Sequence, residues 1–129
     1  YWKRYARINS RLNLMEEAEK GYRKSLELGN YELETWIKRA DVLIDLGEYA
    51  TAIENLLQAD EFYPETAEIE YRLAGLFFSL TEAEKGYFHL DNALKLDYEY
   101  YIIIEELFPK VFARKKIKDR IKSHEKTCS

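Results

Sequence analysis

Apolar residues recur along this chain at three- and four-residue steps, the spacing that keeps side chains on one face of an α-helix. In segment 33–46 the stripe is Leu33, Trp36, Ala40, Leu43 and Leu46. Segment 49–62 repeats it with Tyr49, Ala52, Ile53, Leu56, Leu57 and Ala59. Read this way throughout, the pattern predicts helices over about 1–12, 16–28, 33–46, 49–62, 66–80, 83–96, 100–107 and 110–125. The fold class is therefore all-α.

The stripes are also copies of one another. Setting Trp2 over Trp36, a shift of 34 residues, aligns several columns. Ala6, Ala40 and Ala74 form one small-residue column; Ala18, Ala52 and Gly86 form a second; Ser25, Ala59 and Ala93 form a third. Tyr22, Leu56 and Leu90 make a bulky column, and Asn13, Gly47 and Thr81 a turn column. A fixed period of this length marks a repeat protein. Small residues belong where two helix backbones approach closely, and the bulky column fills the space between successive hairpins. Gly47 suits the end of a first helix because glycine takes positive φ freely, with Asn13 the usual second choice. Pro64 falls between the second and third hairpins, where a residue that cannot continue a helix is useful.

These residues carry a resemblance. The stretch Trp36, Ala40, Leu43, Gly47, Tyr49, Ala52, Leu56, Ala59 and Pro64 resembles a tetratricopeptide repeat, with Arg39 where that family usually has Leu. The first repeat matches through Trp2, Tyr5, Ala6, Ala18, Tyr22 and Ser25. The third matches through Leu73, Ala74, Gly86, Leu90 and Ala93, but carries Glu70 in the Trp column and Thr81 in the Gly column. The resemblance implies a right-handed superhelical solenoid of three helix hairpins, at about 1–32, 33–66 and 67–100, in a single domain. A partial fourth repeat and capping helix at 101–125 and a frayed tail at 126–129 would complete it. Phe108 is too bulky for the small column and Pro109 breaks the helix, so a full fourth hairpin is not expected. Ala113, Ile117 and Ile121 would supply the apolar face of the cap.

The family's role implies a protein or peptide partner bound on the face lined by the first helix of each hairpin. By resemblance that face would hold Lys3, Arg4, Arg7 and Arg11, then Glu34, Ile37, Lys38, Asp41, Ile44 and Asp45, then Glu68, Tyr71, Arg72 and Phe78. Arg pairs with carboxylates through two parallel bonds. The expected ligand is thus a segment with acidic residues near Arg4, Arg7 and Arg72 and apolar anchors against Ile37, Tyr71 and Phe78. The carboxylate clamp of heat-shock cochaperones is not expected: Lys3 and Arg72 match it, but Arg7 and Lys38 stand where Asn belongs and Glu68 where Lys belongs. A structural or self-associating segment of a longer protein is the alternative.

Charge refines the choice of partner. Residues 110–129 carry eight Lys or Arg against two acids, a net of +6, whereas residues 1–109 carry a net of −10. A solvated polar face on the cap helix explains the basic end. Overall acidity argues against nucleic acid, and no apolar run approaches membrane-spanning length. Catalysis, a cofactor or a metal site finds no motif: His89 and His124 lie far apart, Cys128 sits in the tail, and no glycine-rich phosphate loop is present. Glu16, Glu17 and Glu19 read as first-turn residues that complement a helix dipole. Tyr98, Tyr100 and Tyr101 are expected to pack at the cap. One Cys fits a reducing compartment or indifference to redox, with the cytoplasm as default. Tyr1 in first place, already inside a repeat, leads us to expect a piece of a longer protein. Leu107, Phe108 and Pro109 resemble the close of bacterial multi-repeat arrays.

Overall fold

The computed structural model describes the backbone of residues 1–128 and the side chains of residues 1–125. Among the described residues all regular structure is helical: α1 (Trp2–Arg11), α2 (Met15–Glu27), α3 (Leu33–Asp45), α4 (Tyr49–Phe62), α5 (Ala67–Ser79) and α6 (Ala83–Leu96) come first. A 3₁₀ turn (Tyr98–Tyr101), α7 (Ile102–Leu107), α8 (Pro109–Phe112) and α9 (Lys115–Cys128) follow. The chain divides into two compact units, one over residues 1–63 and one beginning at Pro64. A single domain is what the repeat pattern leads one to expect.

In the N-terminal unit α1 packs on α2, α2 on α3 and α3 on α4. In the C-terminal unit α5 packs on α6, and the short helices and α9 close over them. The aligned columns explain these contacts. Every small residue of the three columns is buried, as are Tyr22, Leu56 and Leu90. Gly86 shows how tight the approach is: a Cβ there would lie 2.8 Å from the ring of Phe78. The equivalent positions one repeat earlier are Ala52 and Ile44, so a larger partner is matched by a smaller residue in the column.

The 34-residue period is equally visible in the backbone. Asn13, Gly47 and Thr81 have φ of 60°, 77° and 60°. At each, the N–H of that residue bonds the carbonyl three residues back, at 3.0–3.1 Å. The next N–H reaches five residues back, from Leu14 to Asn9, Glu48 to Leu43 and Glu82 to Phe77, at 2.8–2.9 Å. This paired pattern, a Schellman cap, satisfies the last carbonyls of a helix and requires a left-handed residue. Thr81 is β-branched and strained in that conformation, which costs an L-residue about 1–2 kcal/mol. Thr81→Gly is therefore expected to stabilise the C-terminal unit by about 1 kcal/mol after glycine's extra chain entropy is set against it. A raised denaturation midpoint would show the gain, and a lowered one would mean that the bond from Thr81 Oγ1 to the Leu80 carbonyl at 2.6 Å matters more.

A second pair of columns meets inside each hairpin. Trp2, Trp36 and Glu70 face Gly21, Asn55 and His89, again at 34-residue spacing. In the first hairpin Gly21 lets α2 approach the Trp2 carbonyl, which a Cβ would meet at 2.9 Å. In the second, the buried Asn55 donates from Nδ2 to the Trp36 carbonyl at 3.0 Å and accepts from Arg39 at 3.2 Å. In the third, His89 Nδ1 lies 2.8 Å from the Glu70 carboxylate, and the imidazole stacks on Phe77. Two of the departures from the repeat pattern, Arg39 and Glu70, are thus held by polar partners on a neighbouring helix. Glu19 is part of the same correction: it pairs with Arg39 at 3.0 Å across α2 and α3, while Glu16 and Glu17 do lie in the first turn of α2.

The cap differs from expectation in detail. The helix expected over 110–125 is two helices, interrupted at residues 113–114. Ala113 is exposed as a result, and Val111 takes its place in the buried face with Ile104, Phe108, Ile117 and Ile121. Phe108 is accommodated because Gly75 offers no side chain: a Cβ there would fall within 2.1 Å of the ring. α9 is tied to α6 through Asp91, which accepts from Arg120 at 2.8 Å and lies 3.0 Å from His124. Arg120 also sits over the ring of Tyr87. Tyr98 and Tyr101 pack edge to face, whereas Tyr100 is exposed. The backbone of α9 is described to Cys128. Of the frayed tail expected at 126–129, the backbone is therefore helical as far as Cys128, while Ser129 and the side chains beyond Glu125 lie outside the described residues.

Candidate functional site

The residues expected to line a binding face fall into two sets. In the C-terminal unit Tyr71, Arg72 and Phe78 are interior and Glu68 is half-buried. Tyr71 is fully buried and its hydroxyl donates to the carbonyls of Asp97 and Tyr98, at 2.6 and 3.1 Å. Phe78 is buried between Gly86 and Tyr87. Arg72 is buried and donates to the Glu68 carbonyl at 3.0 Å. Tyr71, Arg72 and Phe78, expected on a binding face, are thus buried side chains in this structure. The cap is part of the physical reason, since Phe108 lies over Gly75, the residue one repeat beyond Asp41 and two beyond Arg7. Ile37, expected as an anchor in the second hairpin, is buried as well.

The N-terminal unit keeps its expected cations at the surface. Helical periodicity places Lys3, Arg7 and Ser10 on one stripe of α1, with Arg11 beside it, while Glu34, Lys38 and Asp41 share a stripe of α3. The helices bring Arg7, Ser10, Arg11, Tyr22, Glu34 and Lys38 around one cleft of about 430 Å³. Arg7, Arg11 and Lys38 are exposed and form no ion pair with a described residue. Lys3 stands apart from them electrically, because its ammonium bonds Glu32 at 2.9 Å and lies 3.7 Å from Glu34. The bond to Glu32 raises its pKa above the usual value, with partial burial opposing. Arg4 is exposed and Asp41 half-buried, and neither lines the cleft.

Ser10 and Tyr22 are not among the expected site residues. A signal for Tyr22 exists in the repeat alignment, where it is a phenol in a column otherwise filled by Leu56 and Leu90. Its ring is buried with Ala6, Ala18 and Val42, and burial raises the pKa of its hydroxyl. A second hollow of the same unit, about 440 Å³, lies at the helix turns between Asn13, Leu14, Met15, Asp45 and Leu46. Glu16 and Glu17 line it too, so the two hollows carry opposite charge.

The arrangement can bind an anion. Two arginines on one helix and a lysine on another line one space open to solvent, in a chain of net charge −4. Among the described residues no group of three His, Cys, Asp or Glu side chains is placed to hold a metal ion, and no helix is long and apolar enough to cross a membrane. No known protein family matches the sequence, and no curated protein matches it. What can be said of class is that the protein is all-helical.

Proposed function

We propose that this protein is an interaction module of tetratricopeptide type that binds an acidic segment of a partner protein in the cleft of Arg7, Arg11 and Lys38. It acts by binding and not by catalysis. The observation that carries the reading is that Arg7, Arg11 and Lys38 line one cleft and form no ion pair with a described residue. Arg7 and Arg11 stand four residues apart on α1, where like charges destabilise a helix by about 0.2–0.5 kcal/mol. Nearby acids could have offset that cost, yet Glu34 is engaged with Lys3 and Asp41 does not line the cleft. A charge pattern that works against stability and points at a cavity is expected at a functional site. Repeat similarity to a family of protein-binding scaffolds supports a peptide over a free small molecule.

A displayed peptide library panned on the whole chain tests the proposal. Selected sequences are expected to be rich in Asp and Glu, and Arg7→Glu with Lys38→Glu should weaken a selected peptide at least tenfold. Raising salt should weaken it as well, since the charges are exposed and screened over about 10 Å at 0.1 M. Enrichment of apolar or basic peptides, or binding indifferent to the two substitutions, would refute the assignment.

A further inference from the structure

The floor of the cleft narrows the chemistry of the acid. Tyr22 contributes a buried ring whose hydroxyl bonds no described residue, although it lines the cavity. Desolvation raises its pKa, with the fields of Arg7 and Lys3 opposing and those of Glu34 and Asp41 adding. The phenol is therefore a neutral donor at physiological pH. Ser10, on the same helix as Arg7 and Arg11, adds a second hydroxyl.

Donor number and charge can now be compared with candidate ligands. A carboxylate carries one charge and two coplanar oxygens. A phosphomonoester carries about −1.5 to −2 at pH 7 and three strong acceptor oxygens. The lining offers three cations against one carboxylate, Glu34, and that carboxylate is shared with Lys3. An excess of two positive charges with two added hydroxyl donors suits the dianion better than a single carboxylate. Arg supplies planar forks for two of the oxygens, and Lys38 approaches from the other helix as a point charge.

We infer that the cleft of Arg7, Ser10, Arg11, Tyr22 and Lys38 is a receptor for a phosphomonoester dianion carried on a side chain of the partner protein. This rests on the function proposed above and specifies its ligand.

The test is a titration of the isotope-labelled whole chain, followed by NMR, with three probes: N-acetyl phosphoserine amide, N-acetyl glutamate amide and inorganic phosphate. The phosphoserine probe is expected to shift amides of residues 7–11 and 34–38 and to bind at least tenfold tighter than the glutamate probe. Its affinity should rise severalfold from pH 5 to pH 7.5 as the second phosphate proton, with a pKa of about 6, leaves. Tyr22→Phe, which keeps the buried ring, should weaken the phosphoserine probe severalfold and by more than it weakens the glutamate probe. Equal affinity for the two amino-acid probes, lost together in Arg7→Gln with Arg11→Gln, would overturn the dianion inference while the acidic-partner reading stands. Inorganic phosphate binding tighter than the phosphoserine probe would overturn the partner assignment in favour of a small phosphate ligand. Shifts from no probe at these residues would overturn both.

Discussion

Gly21→Ala is expected to destabilise the N-terminal unit by about 1–3 kcal/mol, the usual effect of forcing extra volume into a packed interior. Two effects oppose each other here. In an exposed helix the same change would stabilise by about 1 kcal/mol, because alanine has the better helix propensity. At position 21, however, the new Cβ would meet Ala6 Cβ at 2.7 Å, the Trp2 carbonyl oxygen at 2.9 Å and Ala6 Cα at 3.0 Å. Two of these are backbone atoms, so no rotamer change relieves them. α1 must move away from α2, and Ala6, Ala18 and Tyr22 lose packing together. Denaturant unfolding followed through the aromatic signal measures the change. A rise in stability would mean that α1 slides over α2 at little cost and that the small-residue column does not set their separation. Because Arg7 and Arg11 ride on α1, anion binding should weaken in the same variant.

The second large effect is expected at the equivalent position of the third hairpin. His89→Ala should destabilise the C-terminal unit by about 2–3 kcal/mol. Glu70 is nearly enclosed, with a side chain 10% exposed. Without the imidazole its carboxylate retains only a long contact from Asn92, at 3.5 Å. A buried charge stripped of its partner costs more than the pair contributes, so removing both groups should be far milder than removing one. Glu70→Leu combined with His89→Leu is accordingly expected to recover most of the loss. Hydrogen exchange in α5 and α6 localises the effect to this hairpin. A double variant as unstable as His89→Ala would show that the stacked imidazole on Phe77, and not its contact with the Glu70 carboxylate, holds the helices together.

These two sites show how one backbone contact is met three ways. The same place in the hairpin is served by close approach at Gly21, a side-chain hydrogen bond at Asn55 and an imidazole–carboxylate contact at His89. Each choice follows from what stands opposite. Trp2 and Trp36 present a backbone carbonyl, whereas Glu70 presents a carboxylate that must be paired if it is to be enclosed.

Much of this was legible in the amino-acid sequence. Helix positions follow from apolar spacing to within a residue or two through α6, since burying one face of a helix demands that spacing wherever the helix packs. The turn column is equally local: a Schellman cap needs a left-handed residue, and Asn13, Gly47 and even Thr81 occupy it. The cations of α1 and α3 were named only through the resemblance, which implies that the first helix of each hairpin lines a binding face. Tertiary structure decided the rest. Ala113 leaves the buried face because the chain breaks between α8 and α9, which a four-residue spacing alone does not reveal. Arg72 occupies the repeat position of the exposed Arg4 and Lys38, yet it is buried. Likewise Tyr22 reads as a core plug, yet it lines the same cleft as Arg7, Arg11 and Lys38. Periodicity fixes which side of its own helix a residue occupies; what lies opposite that side depends on contacts between distant residues, and those decide whether a group is buried, paired or free to bind.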